Sequence, residues 1–253
     1  MALSEGAGRT RFHHYGPWML GGGAVLLGIV YEVARKHIVS RTDVVYFLVL
    51  IPTIIIHEVS HGVVANWCGD DTAKRAGRLS ANPLRHIDPV GSILLPILLI
   101  VTTGYAFGWA KPVPVDVGRL RHPRNQAVLV GLAGPFVNIV LALAAGFAFR
   151  LVATQSGLAS LSFTPLDQWP LLDLVLFFLG EVNVVIAVFN LIPIPPLDGS
   201  AVLERLLPSS ALASYYRLRS LSMVLVLVLV FAAPGVLDTI FNHALQYWGD
   251  IVL

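Results

Sequence analysis

The sequence predicts an all-α fold, a polytopic membrane helix bundle of about five spans with a re-entrant segment at 89–108. Three observations carry that prediction. Of the 253 residues, 56% are hydrophobic and only 13% are charged, far from the usual soluble composition. The apolar residues gather into long runs of the length a helix needs to cross a bilayer. Most of the basic residues fall between those runs, where Lys and Arg mark the cytoplasmic side. A net charge of +2 spread over such connectors is a topology signal, and no nucleic-acid partner is expected. The single cysteine, Cys68, has no internal disulfide partner and no Cys/His cluster around it, so it is expected to be a small buried residue.

In chain order, Arg9 and Arg11 precede the apolar run Pro17 to Val33. No small-residue cleavage site follows that run, so it is expected to be an uncleaved anchor. Val44 to Trp67 is the second span. Pro89 to Gly108 is marginal against the roughly 20 residues that about 30 Å of hydrocarbon requires, and it contains Pro96, Gly104 and Gly108. The connector before it holds Lys74, Arg75, Arg78 and Arg85, and the one after it Lys111, Arg119, Arg121 and Arg124. Both read as cytoplasmic, so the segment enters and leaves on one side. A broken element of this kind is tolerated where protein or a water-filled cavity covers its backbone.

Ala127 to Val152 and Leu171 to Pro193 are full spans, joined by a connector at 153–170 without Lys or Arg. The next connector brings Arg205, Arg217 and Arg219, and a last apolar run covers Leu218 to Ala233. In this scheme the connector with Arg35, Lys36 and Arg41 lies outside and departs from the charge rule. The tail from Asp238 to Leu253 is amphipathic, suited either to an interface or to packing. With no internal repeat and no connector long enough for an inserted soluble domain, one integral-membrane domain is expected over 1–253, with its core at 44–200.

Within the second span lies Ile54, Ile55, Ile56, His57, Glu58, Val59, Ser60, His61, Gly62. Residues four apart share a helix face, so both imidazoles can bind one metal while Glu58 approaches its water. Ionisable groups in an apolar helix are costly and mark function, and a bound Zn²⁺ offsets that cost by supplying both histidines with a partner. A catalytic zinc needs a third protein ligand and an open fourth position. Asp198, in Asn190, Leu191, Ile192, Pro193, Ile194, Pro195, Pro196, Leu197, Asp198, Gly199, is the leading candidate. The prolines stop the preceding helix and Gly199 lets the chain turn back. Glu181 is its rival, since it lies at a depth in its span comparable to that of His57. The HExxH and Asp198 both sit toward the C-terminal ends of their segments, which must therefore run in the same direction. One crossing between them, at 127–152, satisfies this.

His57-Glu58-Val59-Ser60-His61 in a membrane helix, GLAGPFVN at Gly131 to Asn138, and NLIPIPPLDG at Asn190 to Gly199 together resemble the site-2 protease family of intramembrane zinc metalloproteases, over about residues 44–200. The resemblance implies one Zn²⁺ per chain held by His57, His61 and Asp198, with Glu58 as the catalytic acid/base. It also implies that Asn190, with Asn138, positions substrate or the oxyanion; interhelical hydrogen bonding is the competing role for both. Gly131 and Gly134 read as close helix packing. No segment resembles the PDZ or nucleotide-sensing domains of larger relatives, so a minimal member is expected.

The expected partners are a membrane protein or peptide substrate and the lipid bilayer, the expected location is the plasma membrane, and the active site is expected toward the cytoplasmic side. The extended, proline-containing stretch Trp109 to Val117 is expected to offer an edge to unwound substrate. A transporter or channel with an intramembrane metal site is disfavoured by the absence of duplicated halves. A non-catalytic zinc-containing partner has no need of Glu58.

Overall fold

The computed structural model describes residues 40–94, 110–156, 164–219 and 221–252, which are mostly helical and carry no strand. The first helix, α1 (Arg41–Trp67), starts from a capping box in which the Ser40 hydroxyl accepts from the Asp43 amide and Asp43 accepts from the Ser40 amide, satisfying two orphan donors. Its inward stripe recurs every four residues: Val45, Val49, Thr53, His57, His61 and Ala65 are all buried. The stripe is apolar at its ends and polar in the middle, which places the chemistry deep in the bundle.

A four-residue helix, α2 (Thr72–Arg75), lies in the following connector. The long helices α3 (Pro123–Ser156) and α4 (Leu171–Leu191) complete the core. His57 meets Asn138 while His61, further along α1, meets Val130, so α1 and α3 are antiparallel. Val45 and Val49 share a buried cluster with Leu174, Phe178 and Val182 of α4, and Thr53 meets Asn183, so α1 and α4 run parallel. This is the direction that the charge pattern required. Outward-facing Leu48, Phe136 and Leu151 are mostly exposed, as suits contact with lipid.

The two basic connectors are laced together. Lys111 N–H donates to the His86 carbonyl at 2.8 Å, Arg78 donates to the Lys111 carbonyl at 2.6 Å, and Arg121 N–H donates to the Cys68 carbonyl at 3.0 Å. The chain on either side of 89–109 therefore meets at one face. Pro89–Leu94 form a short, wide helical turn; the rest of the expected re-entrant segment, from 95 to 108, lies outside the described residues.

Asp70 is the knot between these connectors, fully buried, with Oδ1 accepting from the Thr72 hydroxyl and amide and Oδ2 from the Asp116 amide at 2.7 Å. Burial pushes its carboxyl up. The Thr72 hydroxyl, the Asp116 and Thr72 amides and the Arg119 guanidinium outweigh that effect and leave it below the usual aspartate range. Because the folded-state value is lowered, Asp70 stabilises the fold fully above the ordinary aspartate range, and the contribution fades as acidification protonates it. Thermal unfolding in detergent across acidic pH is expected to show a falling midpoint, and Asp70→Asn should start lower and lose that share of the dependence.

Beyond α4 come α5 (Ser200–Leu206), α6 (Ser209–Arg219), α7 (Ser222–Ala232) and α8 (Pro234–Val252). The expected count of about five spans is not reached among the described residues. α1, α3 and α4 are long and apolar enough to cross, and Val224–Ala232 with Pro234–Val252 count as a fourth only as a pair bent by 81°. The run Leu218 to Ala233 does not form one straight span, because α7 holds only 11 residues before Pro234 breaks it, against roughly 20 for a crossing. The first expected span, 17–33, lies outside the described residues. The amphipathic tail packs on this chain itself: Trp248 of α8 fits against Gly146 and Gly180 and donates its indole N–H to the Ala142 carbonyl at 2.9 Å.

Candidate metal centre and active site

His57 and His61 project from the polar middle of the α1 stripe, one turn apart. His57 Nδ1 lies 2.5 Å from Asn138 Oδ1, and His61 Nδ1 lies 2.6 Å from the Val130 carbonyl oxygen. Both partners are acceptors, so each ring carries its proton on Nδ1 and turns an Nε2 lone pair inward. The two Nε2 atoms are 3.1 Å apart. Asp198 Oδ2 lies 3.0 Å from His57 Nε2 and 3.3 Å from His61 Nε2, and as a buried oxygen it receives no hydrogen bond from any other group. Glu181 is not in this cluster; its electrostatic neighbour is Tyr46.

Three lone-pair atoms facing one another at these distances repel unless a cation lies among them. A shared proton could relieve one contact and would leave the others. A tetrahedron with bonds of about 2.0 Å has edges of about 3.3 Å, close to the three separations here. The donor set of two neutral imidazoles and a carboxylate, each imidazole tied at its far nitrogen, suits zinc and fixes the ring orientation.

Glycine shapes the cradle. At Gly134 of α3, a Cβ would lie closer than 3.0 Å to the Nε2 atoms of both histidines, so its absence keeps the space beside the lone pairs open. At Gly131, one turn earlier, a Cβ would press on Ala201 and on the Asp198 carbonyl; this glycine lets the Asp198 loop lie against α3. That loop is closed by Gly199 N–H donating to the Asn190 carbonyl at 2.6 Å, and a Cβ on Gly199 would collide with the Leu191 carbonyl. The prolines end α4, and the turn they force brings Asp198 back over the histidines.

Glu58, next to His57, accepts the Val113 amide at 2.8 Å through Oε2. The stretch from Ala110 to Asp116 forms neither helix nor strand. Its Val113 amide is thus already occupied, and Pro112 and Pro114 carry none. Asn138 has no exposure: its Oδ1 meets His57 and its Nδ2 donates to Asn183 Oδ1 at 2.6 Å. Its amide serves a histidine and a neighbouring helix instead of an open cleft. Asn190 is half-buried, and its Nδ2 donates to the Ile186 carbonyl at 3.0 Å.

The cradle at Gly134, the Val130 carbonyl and the Val113 amide escape a reading of the sequence. Two of them are backbone groups available in any residue. The third is a glycine, which signals close approach without saying to what.

The sequence signature of Peptidase family M50 matches residues 154–233, the part that carries Asp198. Over 193 residues the chain is 39% identical to the Bacillus subtilis (strain 168) protein named "Putative zinc metalloprotease YwhC", covering 74% of this chain and 80% of that one. The chain belongs to peptidase family M50. It is also 32% identical over 196 residues to "Putative zinc metalloprotease Rip2" of Mycobacterium tuberculosis (strain ATCC 25618 / H37Rv), covering 78% of this chain and 69% of the relative. No solved structure matches the chain. M50 membership, in the site-2 protease family, makes this an intramembrane zinc metalloprotease, a membrane protein whose substrate is protein in a membrane setting.

Proposed function

We propose that His57, His61 and Asp198 hold one zinc ion in this M50 chain and that Glu58 is the catalytic base and acid, cleaving peptide bonds of membrane-associated substrates at the cytoplasmic edge of the plasma membrane. The observation that carries this reading is the convergence of two Nε2 lone pairs and one unpartnered carboxylate oxygen at 3.0–3.3 Å, beside the glutamate of an HExxH helix.

Bound zinc would supply Lewis-acid polarisation of the scissile carbonyl and a water of lowered pKa. Glu58 takes the proton of the attacking water and returns it to the departing amine. The Val113 amide on Oε2 orients the carboxylate and leaves Oε1 for that exchange. Asn138 fixes the His57 ring, and Asn190, beside the Asp198 loop, is the remaining amide suited to steady the substrate carbonyl. The basic connectors, hydrogen-bonded together at the end of the bundle where α1 finishes, support the cytoplasmic placement. The whole chain acts as one membrane domain, with its working core at 44–200.

Purified protein should cleave single-span model substrates, lose that activity on incubation with phenanthroline, and regain it with stoichiometric zinc. Cleavage that persists at full rate in a preparation shown to be free of metal would reject the reading.

A further inference from the structure

Asn138 orients His57, yet an amide turned by half a rotation would offer its NH₂ group to the same ring. Something must hold it. Asn138 Nδ2 donates to Asn183 Oδ1 at 2.6 Å, and Asn183 Nδ2 donates to the Leu179 carbonyl at 2.7 Å and to Thr53 Oγ1 at 3.2 Å. Asn138 and Asn183 are 0% exposed and Thr53 is 1% exposed. The chain crosses all three core helices, from α3 to α4 to α1.

Its polarity runs one way. A backbone carbonyl can only accept, so Leu179 fixes which end of the Asn183 side chain carries its NH₂. That turns Asn183 Oδ1 toward Asn138, which must answer with its own NH₂ and so presents Oδ1 to His57. Only the Nδ1–H tautomer of His57 satisfies that oxygen, and this tautomer leaves the Nε2 lone pair free on the metal side.

We propose that Asn183, supported by Thr53, is a positioning residue for the metal centre, transmitting hydrogen-bond polarity from the Leu179 carbonyl through Asn138 to the His57 ring. The inference rests on His57 being a ligand. Residues that merely joined the helices would affect stability alone; a polarity chain also sets how well His57 binds metal.

The test measures zinc affinity by competition with a chromophoric chelator, the visible spectrum of the Co²⁺ form, and thermal stability of the metal-free protein. It compares wild type with Asn183→Leu, Thr53→Val, Thr53→Ser and His57→Ala. Asn183→Leu should weaken zinc about tenfold, in line with outer partners of metal-bound histidines, and should shift the Co²⁺ spectrum. Thr53→Val should weaken zinc by a smaller factor, and Thr53→Ser, which keeps the hydroxyl, should restore wild-type affinity. Should Asn183→Leu fail to fold, the Thr53 pair decides. Wild-type affinity and spectrum in Asn183→Leu, or equal affinities in Thr53→Val and Thr53→Ser, would overturn the proposal even if stability fell. Wild-type affinity in His57→Ala would instead reject the ligand assignment beneath it.

Discussion

Gly134→Ala is expected to weaken zinc binding severely while leaving the helix bundle folded. A Cβ at this position would sit closer than 3.0 Å to the Nε2 atoms of His57 and His61. Neither ring can step aside cheaply, because His57 is held by Asn138 and His61 by the Val130 carbonyl. Moving either would break a buried hydrogen bond and turn a lone pair away from its target. The helix itself gains from the change, since alanine is the better helix former by about 1 kcal/mol. The expected result is a loss of zinc affinity of at least about a hundredfold, at the upper end of what disturbed support of a ligand produces, with helical content unchanged. Metal analysis and circular dichroism on the same sample check both halves. Full zinc content in Gly134→Ala would show that the metal does not lie beside this glycine.

Glu58→Gln should separate chemistry from metal binding. Glutamine keeps a carbonyl oxygen that can accept the Val113 amide, so the contact at 2.8 Å and the placement of the 110–116 stretch can persist. It cannot accept a proton. Losing a general acid–base residue typically costs 10²–10⁴ in rate, and kcat is expected to fall by about a thousandfold or more, with zinc content and KM close to wild type. A matching loss of zinc in Glu58→Gln would place this residue in the ligand set.

Much of this was legible in the residues. The HExxH declared itself because ionisable groups interrupt an apolar helix at the spacing of one face. The parallel course of α1 and α4 followed from two basic connectors on one side of the bilayer. The facing of each helix was harder to read. α1 and α3 carry apolar residues around much of their circumference, so periodicity does not say which side meets which neighbour, and the pairing of Asn138 with His57 could not be derived. From the sequence, Gly134 reads as a packing residue. It is one, but the groups it packs against are the two histidines, which only the rotation of α3 about its axis reveals. At the C-terminal end, hydropathy treated Leu218 to Ala233 as one run, while the chain breaks it into short helices and uses Trp248 on α8 to brace α3 and α4.

The proposed reaction depends on zinc sitting among His57, His61 and Asp198. The most direct test is zinc content together with zinc-edge X-ray absorption on the purified chain and on Asp198→Ala. One zinc per wild-type chain is expected, with two imidazole ligands and otherwise oxygen, no sulfur, and a loss of most of the metal in Asp198→Ala. Wild-type protein that takes up no zinc in metal-replete buffer, or Asp198→Ala protein with unchanged zinc and an unchanged absorption spectrum, would contradict it.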